Sequence, residues 1–114
     1  MKHVLFGQKS VFLGDEAADA LVDYAAHVAQ MKTGDRVDMR GINSEGNAIV
    51  TTFLLNGGSN LAAETTSLQL DEPDNAESIA YIRRRIEVFA VNPDFFDGFT
   101  LVGELGDADA SGIA

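Results

Sequence analysis

The chain has 114 residues, of which 46% are hydrophobic and 23% are charged, and its formal net charge at pH 7 is −10. The length favours one domain, and the composition is that of an ordinary globular protein, which excludes a wholly disordered chain and a fibrous repeat. Because phosphate binding requires a basic surface, the acidic charge also argues against nucleic acid as a partner.

Cysteine is absent from the sequence, so disulfides, thiolate catalysis and cysteine-bound zinc are excluded. The segment from Met1 to Gly7 contains no long apolar stretch and no cleavage signature, so we expect no secretory leader. No apolar run approaches the ~18 residues that a membrane span requires. These features predict a cytoplasmic protein that has no membrane as a partner.

A hairpin and a helix are predicted at the start of the chain. His3–Phe6 and Ser10–Leu13 are two short apolar runs joined by a glycine-containing turn. Asp15 and Glu16 suit the first turn of a helix, because carboxylates are stabilised at a helix N-terminus. Gly34 is expected to end this helix as its C′ residue. Apolar residues at intervals of three and four mark its buried stripe, namely Ala18, Leu21, Ala25 and Val28.

Three further strands are predicted in the middle of the chain. Arg36–Arg40 alternates polar and apolar residues, which is typical of an edge strand or a half-exposed strand. Ala48–Leu55 is apolar on both faces, so we expect a central strand that is covered on both sides. Asn56–Asn60 has the composition of a hairpin turn, and it leads into a third, more polar strand at Leu61–Leu70.

A second helix and a tail are predicted at the end of the chain. Asp74 and Glu77 form a pair that resembles a capping box. The apolar stripe of this helix consists of Ile79, Ile82, Ile86 and Phe89. We expect residues 1–92 to form a single domain. Residues 93–114 form an apolar-acidic tail with five acidic and no basic side chains, and at least 106–114 are predicted to be disordered.

The predicted elements follow one another in the order β-β-α-β-β-β-α, with the tail after them. Since hairpins join antiparallel neighbours, this order predicts an α+β fold with a five-stranded, mostly antiparallel sheet and two helices. The two apolar faces of Ala48–Leu55 both require cover. The sequence leaves open whether a helix, the tail or another subunit covers the second face.

The sequence contains no recognisable catalytic or metal-binding arrangement. His3 and His27 are its two histidines, and neither belongs to a metal-ligand motif. The serines show no nucleophile-elbow pattern. Gly57 and Gly58 lie between strands and lack the following helix of a phosphate-binding loop. We therefore expect no catalytic residues, no metal and no cofactor, and the balance leans away from an enzyme.

Two segments are candidate sites for binding a partner. The first is the basic cluster on the second helix, formed by Arg83, Arg84 and Arg85. It either pairs with Glu77, Glu87 and the acidic tail or docks an acidic or phosphorylated partner. A third option is that the tail folds back onto this cluster in the same chain or in a second copy. The second is an aromatic cluster in the tail, formed by Phe95, Phe96 and Phe99. It either anchors in the groove of a partner or packs within the protein itself.

The segments Gly46–Val50 and Gly57–Ala62, followed by an isoleucine-rich helix, look similar to the second half of bacterial roadblock proteins. The element order over residues 3–90 likewise resembles the core of roadblock and longin domains, without the roadblock N-terminal helix. This resemblance implies a five-stranded antiparallel sheet between helices and a dimerising scaffold, often one for small GTPases. The opening His3–Leu21 and the Ala-, Asp-, Val- and Gly-rich composition also resemble small proteins of high-GC actinobacteria, which implies no activity.

These observations predict a non-enzymatic protein-interaction or scaffold module that acts as a homodimer and can bind a protein partner. The prediction rests on the missing catalytic arrangement, on the strand with two apolar faces and on the apolar-acidic tail. The alternative is a small-molecule-binding or catalytic domain with a pocket between sheet and helix. Such a pocket would use Tyr24, Tyr81, His27 or an arginine.

Overall fold

The computed structural model describes residues 1–91, with side chains described as far as residue 88, and it confirms the predicted α+β class and element order. Met1–Arg83 forms one compact unit, and the residues after it belong to a second. The predicted tail at 93–114 lies outside the described residues. The elements are β1 (Lys2–Phe6), β2 (Lys9–Leu13), α1 (Asp15–Gln30), β3 (Asp35–Ile42), β4 (Ala48–Leu55), β5 (Leu61–Thr65) and α2 (Ala76–Val91).

The five strands form one antiparallel sheet in the order β4-β3-β2-β1-β5. β1 pairs along its whole length with both β2 and β5, and β3 does the same with β4. β2 and β3, in contrast, pair only at Phe12 and Ile42. Gly41 allows the close approach there, because a Cβ atom on this residue would lie 2.5 Å from Cγ2 of Val11. The sheet therefore consists of two well-paired parts joined at one corner.

The connection Asn56–Asn60 is not the predicted hairpin turn. It joins β4 and β5, which lie at opposite edges of the sheet, and β5 pairs with β1. Strong curvature of the sheet makes this short connection sufficient, since the rings of Phe6 on β1 and Phe53 on β4 stack with centroids 5.3 Å apart. The Gly7 N–H donates to the Asn60 carbonyl at 3.2 Å and holds the connection beside the first hairpin. Strand β5 also ends earlier than predicted, at Thr65.

Helix α1 packs its predicted apolar stripe into the core. Ala18, Leu21 and Val28 are fully buried, and so is Tyr24 beside them. Full burial of a large aliphatic or aromatic side chain stabilises the fold by about 1.5–3 kcal/mol. The core thus holds α1 against the sheet, whose own fully buried or nearly buried side chains include Val4, Leu13, Met39, Phe53 and Leu55.

Helix α1 ends in a Schellman motif whose left-handed residue is Lys32 (φ 55°), so the prediction of Gly34 at this position is wrong. The Lys32 N–H donates to the Ala29 carbonyl at 3.2 Å, and the Thr33 N–H donates to the Val28 carbonyl at 3.1 Å. A lysine occupies the left-handed position at a cost of roughly 1–2 kcal/mol relative to glycine. The fully buried Val28 anchors the last turn, which explains why the helix ends before the glycine.

Helix α2 begins beside the part of β3 that β2 leaves without a strand partner. The Asn75 side chain accepts a hydrogen bond from the Arg40 N–H at 2.7 Å and donates one to the Arg40 carbonyl at 2.8 Å. One turn later, the Ser78 hydroxyl donates to the Asp38 carbonyl at 2.7 Å. These side chains take the place of a strand along β3. The segment Arg36–Arg40 is therefore half-exposed, as predicted, but it is not at an edge.

Strand β4 lies at an edge, so the prediction of a central strand is wrong, and within residues 1–91 its second face is not covered. Its inner face carries Phe53 and Leu55, which are fully buried. Its outer face carries Val50 and Leu54, which are 65% and 63% exposed. The reason is the pairing order: β5, the expected neighbour of β4, pairs with β1 instead, and within residues 1–91 no strand lies beyond β4.

Candidate functional site

The free edge of the sheet along Ala48–Leu55, termed the β4 edge, is the candidate functional site. Its eight residues include no charged residue, no proline and no glycine. Valine, isoleucine, threonine and phenylalanine favour the extended conformation, which explains why this segment forms a long strand. Natural edge strands are usually short or carry charges and prolines that prevent pairing with another chain. The β4 edge has none of these protecting features.

The outer face of the β4 edge is largely apolar. Side chains alternate along a strand, and the outward-facing residues Ala48, Val50, Thr52 and Leu54 are all exposed. Val50 and Leu54 are the most exposed large hydrophobic residues of the described part of the chain. We refer to these two side chains as the apolar strip. Their contact with water is unfavourable by ~25 cal/mol for each Å² of apolar surface, so the strip favours association.

Charged side chains of β3 lie beside the apolar strip in the register. The register places Arg36, Asp38 and Arg40 beside the outer face of β4. Asp38 accepts a hydrogen bond from the Thr52 hydroxyl at 2.7 Å, and its carboxylate lies 3.7 Å from the Arg36 guanidinium. These charges stand one strand inside the edge. The strand that a partner would meet first is therefore neutral.

The backbone of the β4 edge presents hydrogen-bonding groups on its free side. Arg40 directs its N–H and carbonyl to Asn75, away from β4. Its partner in the register is Val50, so the backbone groups of Val50 also point away from this pair, toward the free side of the sheet. Because the pattern repeats at every second residue, the same orientation holds for Ala48 and Thr52.

The free backbone is bounded at both ends of β4. The Leu54 carbonyl already accepts a hydrogen bond from the Ser59 hydroxyl at 3.2 Å. Before the strand, Gly46 adopts a left-handed conformation (φ 86°), and its N–H donates to the Asn43 carbonyl at 3.0 Å. The stretch that can receive another strand therefore centres on Ala48–Thr52.

The predicted basic cluster on α2 is exposed throughout. Its first member, Arg83, forms a salt bridge with Asp23 of α1, with Nη1 and Oδ2 2.8 Å apart. Arg83 is thus paired with an acidic residue that is distant in the chain. Arg84 and Arg85 are the next two residues of α2. The predicted aromatic cluster of Phe95, Phe96 and Phe99 lies outside the described residues.

An open cleft of about 460 Å³ lies beside α1 and β5. Both of its cationic side chains have acidic partners: Lys2 Nζ lies 2.6 Å from Asp19, and Arg83 Nη1 lies 2.8 Å from Asp23. The hydrogen bond to Asp19 raises the pKa of Lys2. The charges balance, so the cleft offers no surplus charge to an ionic ligand. Val22 and Ala63 complete its lining.

The tyrosines considered for a ligand pocket bond to the fold itself. The hydroxyl of Tyr24, which is fully buried, donates to Oδ2 of Asp35 at 2.5 Å. The hydroxyl of Tyr81 donates to the same carboxylate oxygen at 2.5 Å. The two rings meet edge to face with centroids 6.3 Å apart, and His27 stacks on Tyr24 at 6.3 Å. Asp35 thereby ties both helices to the start of β3.

Within residues 1–91, no group of three histidine, aspartate or glutamate side chains is placed to hold a metal ion. None of the helices in this part of the chain combines the length and the apolar character that crossing a membrane requires. Comparison of the chain with protein-family models, curated proteins and solved structures found no match. The site is therefore interpreted from its own geometry.

Sequence reasoning detects the segment Ala48–Leu55 but assigns it to the interior of the sheet. A run of eight residues without charge is typical of a buried strand, and an unprotected edge strand has the same composition. No pattern within the segment distinguishes a buried strand from an unprotected edge strand, because the distinction depends on which strand lies beside β4. That fact depends on residues distant in the chain.

Proposed function

We propose that the protein is a non-enzymatic interaction module that acts as a homodimer, and that two copies associate through the β4 edge. The observation that carries this proposal is the exposure of Val50 (65%) and Leu54 (63%) on a long edge strand without charge. An exposed, long and apolar edge strand is a template for pairing with another chain. A monomer that left this edge in water would be prone to aggregation, whereas a dimer would cover it.

A second copy is the partner that the β4 edge itself specifies. An added strand must be extended and must carry side chains that tolerate an apolar, neutral neighbour. The β4 edge of another copy meets both conditions, because Ala48–Leu55 is a strand with no charge. Antiparallel pairing of identical strands has two-fold symmetry, so it closes after two copies. The assembly therefore ends at a dimer.

Two further arguments support a module without enzymatic activity, one from the sequence resemblance and one from the structure. The resemblance to roadblock and longin domains, which act as dimerising scaffolds, points to the same role. The alternative, a ligand pocket between sheet and helix, has less support, because the hydroxyls of Tyr24 and Tyr81 both donate to Asp35. The cations of the open cleft are likewise paired with acidic residues.

Sedimentation velocity across the micromolar range tests the proposal. The full chain should sediment as a dimer of the 12.2 kDa polypeptide. Val50→Lys places a charge on the apolar strip, as natural edge strands do, and should weaken the dimer at least ~10-fold, a loss of about 1.4 kcal/mol. The variant should still fold, because the Val50 side chain is 65% exposed. Circular dichroism checks its folding.

Leu70→Lys is the matched control, because it adds the same charge at another exposed hydrophobic residue, 41% exposed, outside the β4 edge. It should leave the dimer unchanged. A wild-type chain that sediments only as a monomer would overturn the proposal. If deletion of residues 93–114 then produced the dimer, the tail would be the occupant of the β4 edge. Equal dissociation of both lysine variants would also contradict the assigned surface.

A further inference from the structure

The register of the dimer follows from the backbone of the β4 edge, and this inference rests on the homodimer proposed above. We infer that β4 pairs antiparallel with β4 of the second copy, with Val50 facing the same residue of the other copy across the two-fold axis. The pairing joins two five-stranded sheets into one continuous sheet. Ala48, Val50 and Thr52 set this register. The Leu54 carbonyl and Gly46 disfavour the two neighbouring registers.

The open backbone groups select the register. Val50 and its neighbours Ala48 and Thr52 point their N–H and carbonyl groups to the free side of β4, as the bonds between Arg40 and Asn75 require. With Val50 on the axis, Ala48 of one copy lies opposite Thr52 of the other. Each of these residues then exchanges hydrogen bonds with its opposite residue. Every group in the pairing is one that the strand leaves free.

The two neighbouring registers each meet an obstacle. Moving the axis toward the end of the strand, to Thr51, brings the Ala48 N–H to the Leu54 carbonyl, which already accepts from the Ser59 hydroxyl at 3.2 Å. Moving the two-fold axis toward the start of the strand, to Ile49, would require Gly46 of one copy to pair with Thr52 of the other. Gly46 is in a left-handed conformation (φ 86°) and its N–H donates to a turn carbonyl at 3.0 Å, so it cannot pair as a strand residue.

The side chains are compatible with this register. Val50 packs against Val50 of the second copy, and Ala48 of each copy lies opposite Thr52 of the other. These paired positions therefore bring no charge and no large side chain into the contact. The nearest cation on the same face is Arg40, opposite Val50 on β3. The two copies of Arg40 are separated by three strand spacings, about 14 Å, which exceeds the Debye length of about 8 Å at physiological salt. Repulsion between them is therefore screened.

Cysteine cross-linking tests the register directly, because the wild-type chain has no cysteine. In Val50→Cys, the two introduced thiols face each other with Cα atoms about 5.5 Å apart, within the range of about 4.4–6.8 Å that a disulfide allows. Mild oxidation should convert most of this variant to a covalent dimer on non-reducing gels. The exposure of Val50 (65%) makes the substitution compatible with folding.

Thr52→Cys is the matched control on the same strand face. Its two thiols would lie four residues apart along the ladder, about 13 Å, so it should remain uncross-linked. The double variant Ala48→Cys with Thr52→Cys should cross-link again, because the register places these positions opposite each other. This second positive variant does not depend on the behaviour of Val50→Cys.

The outcomes separate the register from the homodimer itself. If sedimentation shows a dimer but Val50→Cys stays uncross-linked, or Thr52→Cys cross-links equally well, the register is wrong and the homodimer stands. If Val50→Cys cross-links only together with Thr52→Cys in one chain, the axis lies at Thr51. If the uncross-linked wild-type chain is a monomer throughout the micromolar range, the homodimer itself fails.

Discussion

The two edges of the sheet differ in the features that control pairing with another chain. The β4 edge has eight residues, no charge and two exposed hydrophobic side chains, Val50 and Leu54. The opposite edge strand, β5, has only five residues and carries the exposed Glu64. Glu64 lies opposite His3 on β1, with its carboxylate 3.7 Å from Nδ1 of the histidine.

This difference supports the proposal that β4 pairs with a strand of another copy while β5 ends the sheet. A short strand with an acidic side chain resists a further strand, because a charge in the ladder region is costly to bury. An uncharged, longer strand has no such barrier. Inside the sheet, the backbone groups of β3 that have no strand partner are satisfied in a third way. Asn75 and Ser78 of α2 form hydrogen bonds to them in place of a strand.

The largest change in the free energy of unfolding is expected on the inner face of β4, with the outer face for comparison. Phe53→Ala removes a fully buried ring and should lower the free energy of unfolding by about 3–5 kcal/mol. Leu54→Ala on the outer face should change it by less than about 0.5 kcal/mol when both are measured in the Val50→Lys background, which keeps the chain monomeric. Urea denaturation gives both values. Similar losses at the two positions would mean that the outer face is also covered within one chain.

A smaller effect is expected where side chains replace a strand along β3. Asn75→Ala removes both hydrogen bonds to the Arg40 backbone and should cost about 1–3 kcal/mol in unfolding free energy. Ser78→Ala, which removes the single bond to the Asp38 carbonyl, is the control and should cost about 0.5–1.5 kcal/mol. Hydrogen exchange of the Arg40 amide should speed up in Asn75→Ala. Unchanged exchange there would contradict the proposed replacement of a strand.

The smallest effect on stability is expected at the β5 edge of the sheet, which carries Glu64. Glu64→Val removes the exposed contact with His3 and should change the unfolding free energy by less than about 1 kcal/mol. It should nevertheless alter assembly, producing species larger than a dimer in sedimentation, because the second edge then lacks its charge. Glu45→Val makes the same change in an exposed turn and should stay dimeric. If Glu64→Val also stays dimeric, strand length rather than charge closes the β5 edge.

The sequence predicts the individual elements well, because each depends on a local pattern. The stripe that includes Leu21 and Val28 identifies α1 and its buried face, and the acidic residue Asp15 marks its first turn. The end of α1 is less well predicted, since burial of Val28 places the left-handed residue at Lys32 before Gly34 is reached. Local patterns thus locate an element, while its boundaries respond to packing.

The candidate site is only partly predictable from the sequence. Arg83, chosen as part of a basic cluster, pairs with Asp23 in the structure, and the two residues are far apart in the chain. The β4 edge is visible in the sequence as an apolar strand, but its composition does not reveal which strands lie beside it. The turn-like segment Asn56–Asn60 fits a hairpin and a crossover equally well, and the contacts of β5 with β1 decide between them.

The sequence by itself determined that Ala48–Leu55 is a strand with two apolar faces, because side-chain alternation is a property of the strand alone. Only the tertiary structure decided that Phe53 lies in the core while Val50 faces outward at an edge. The physical reason is that burial depends on what packs against a face. That neighbour is set by pairing between residues far apart in the chain, which no local pattern encodes.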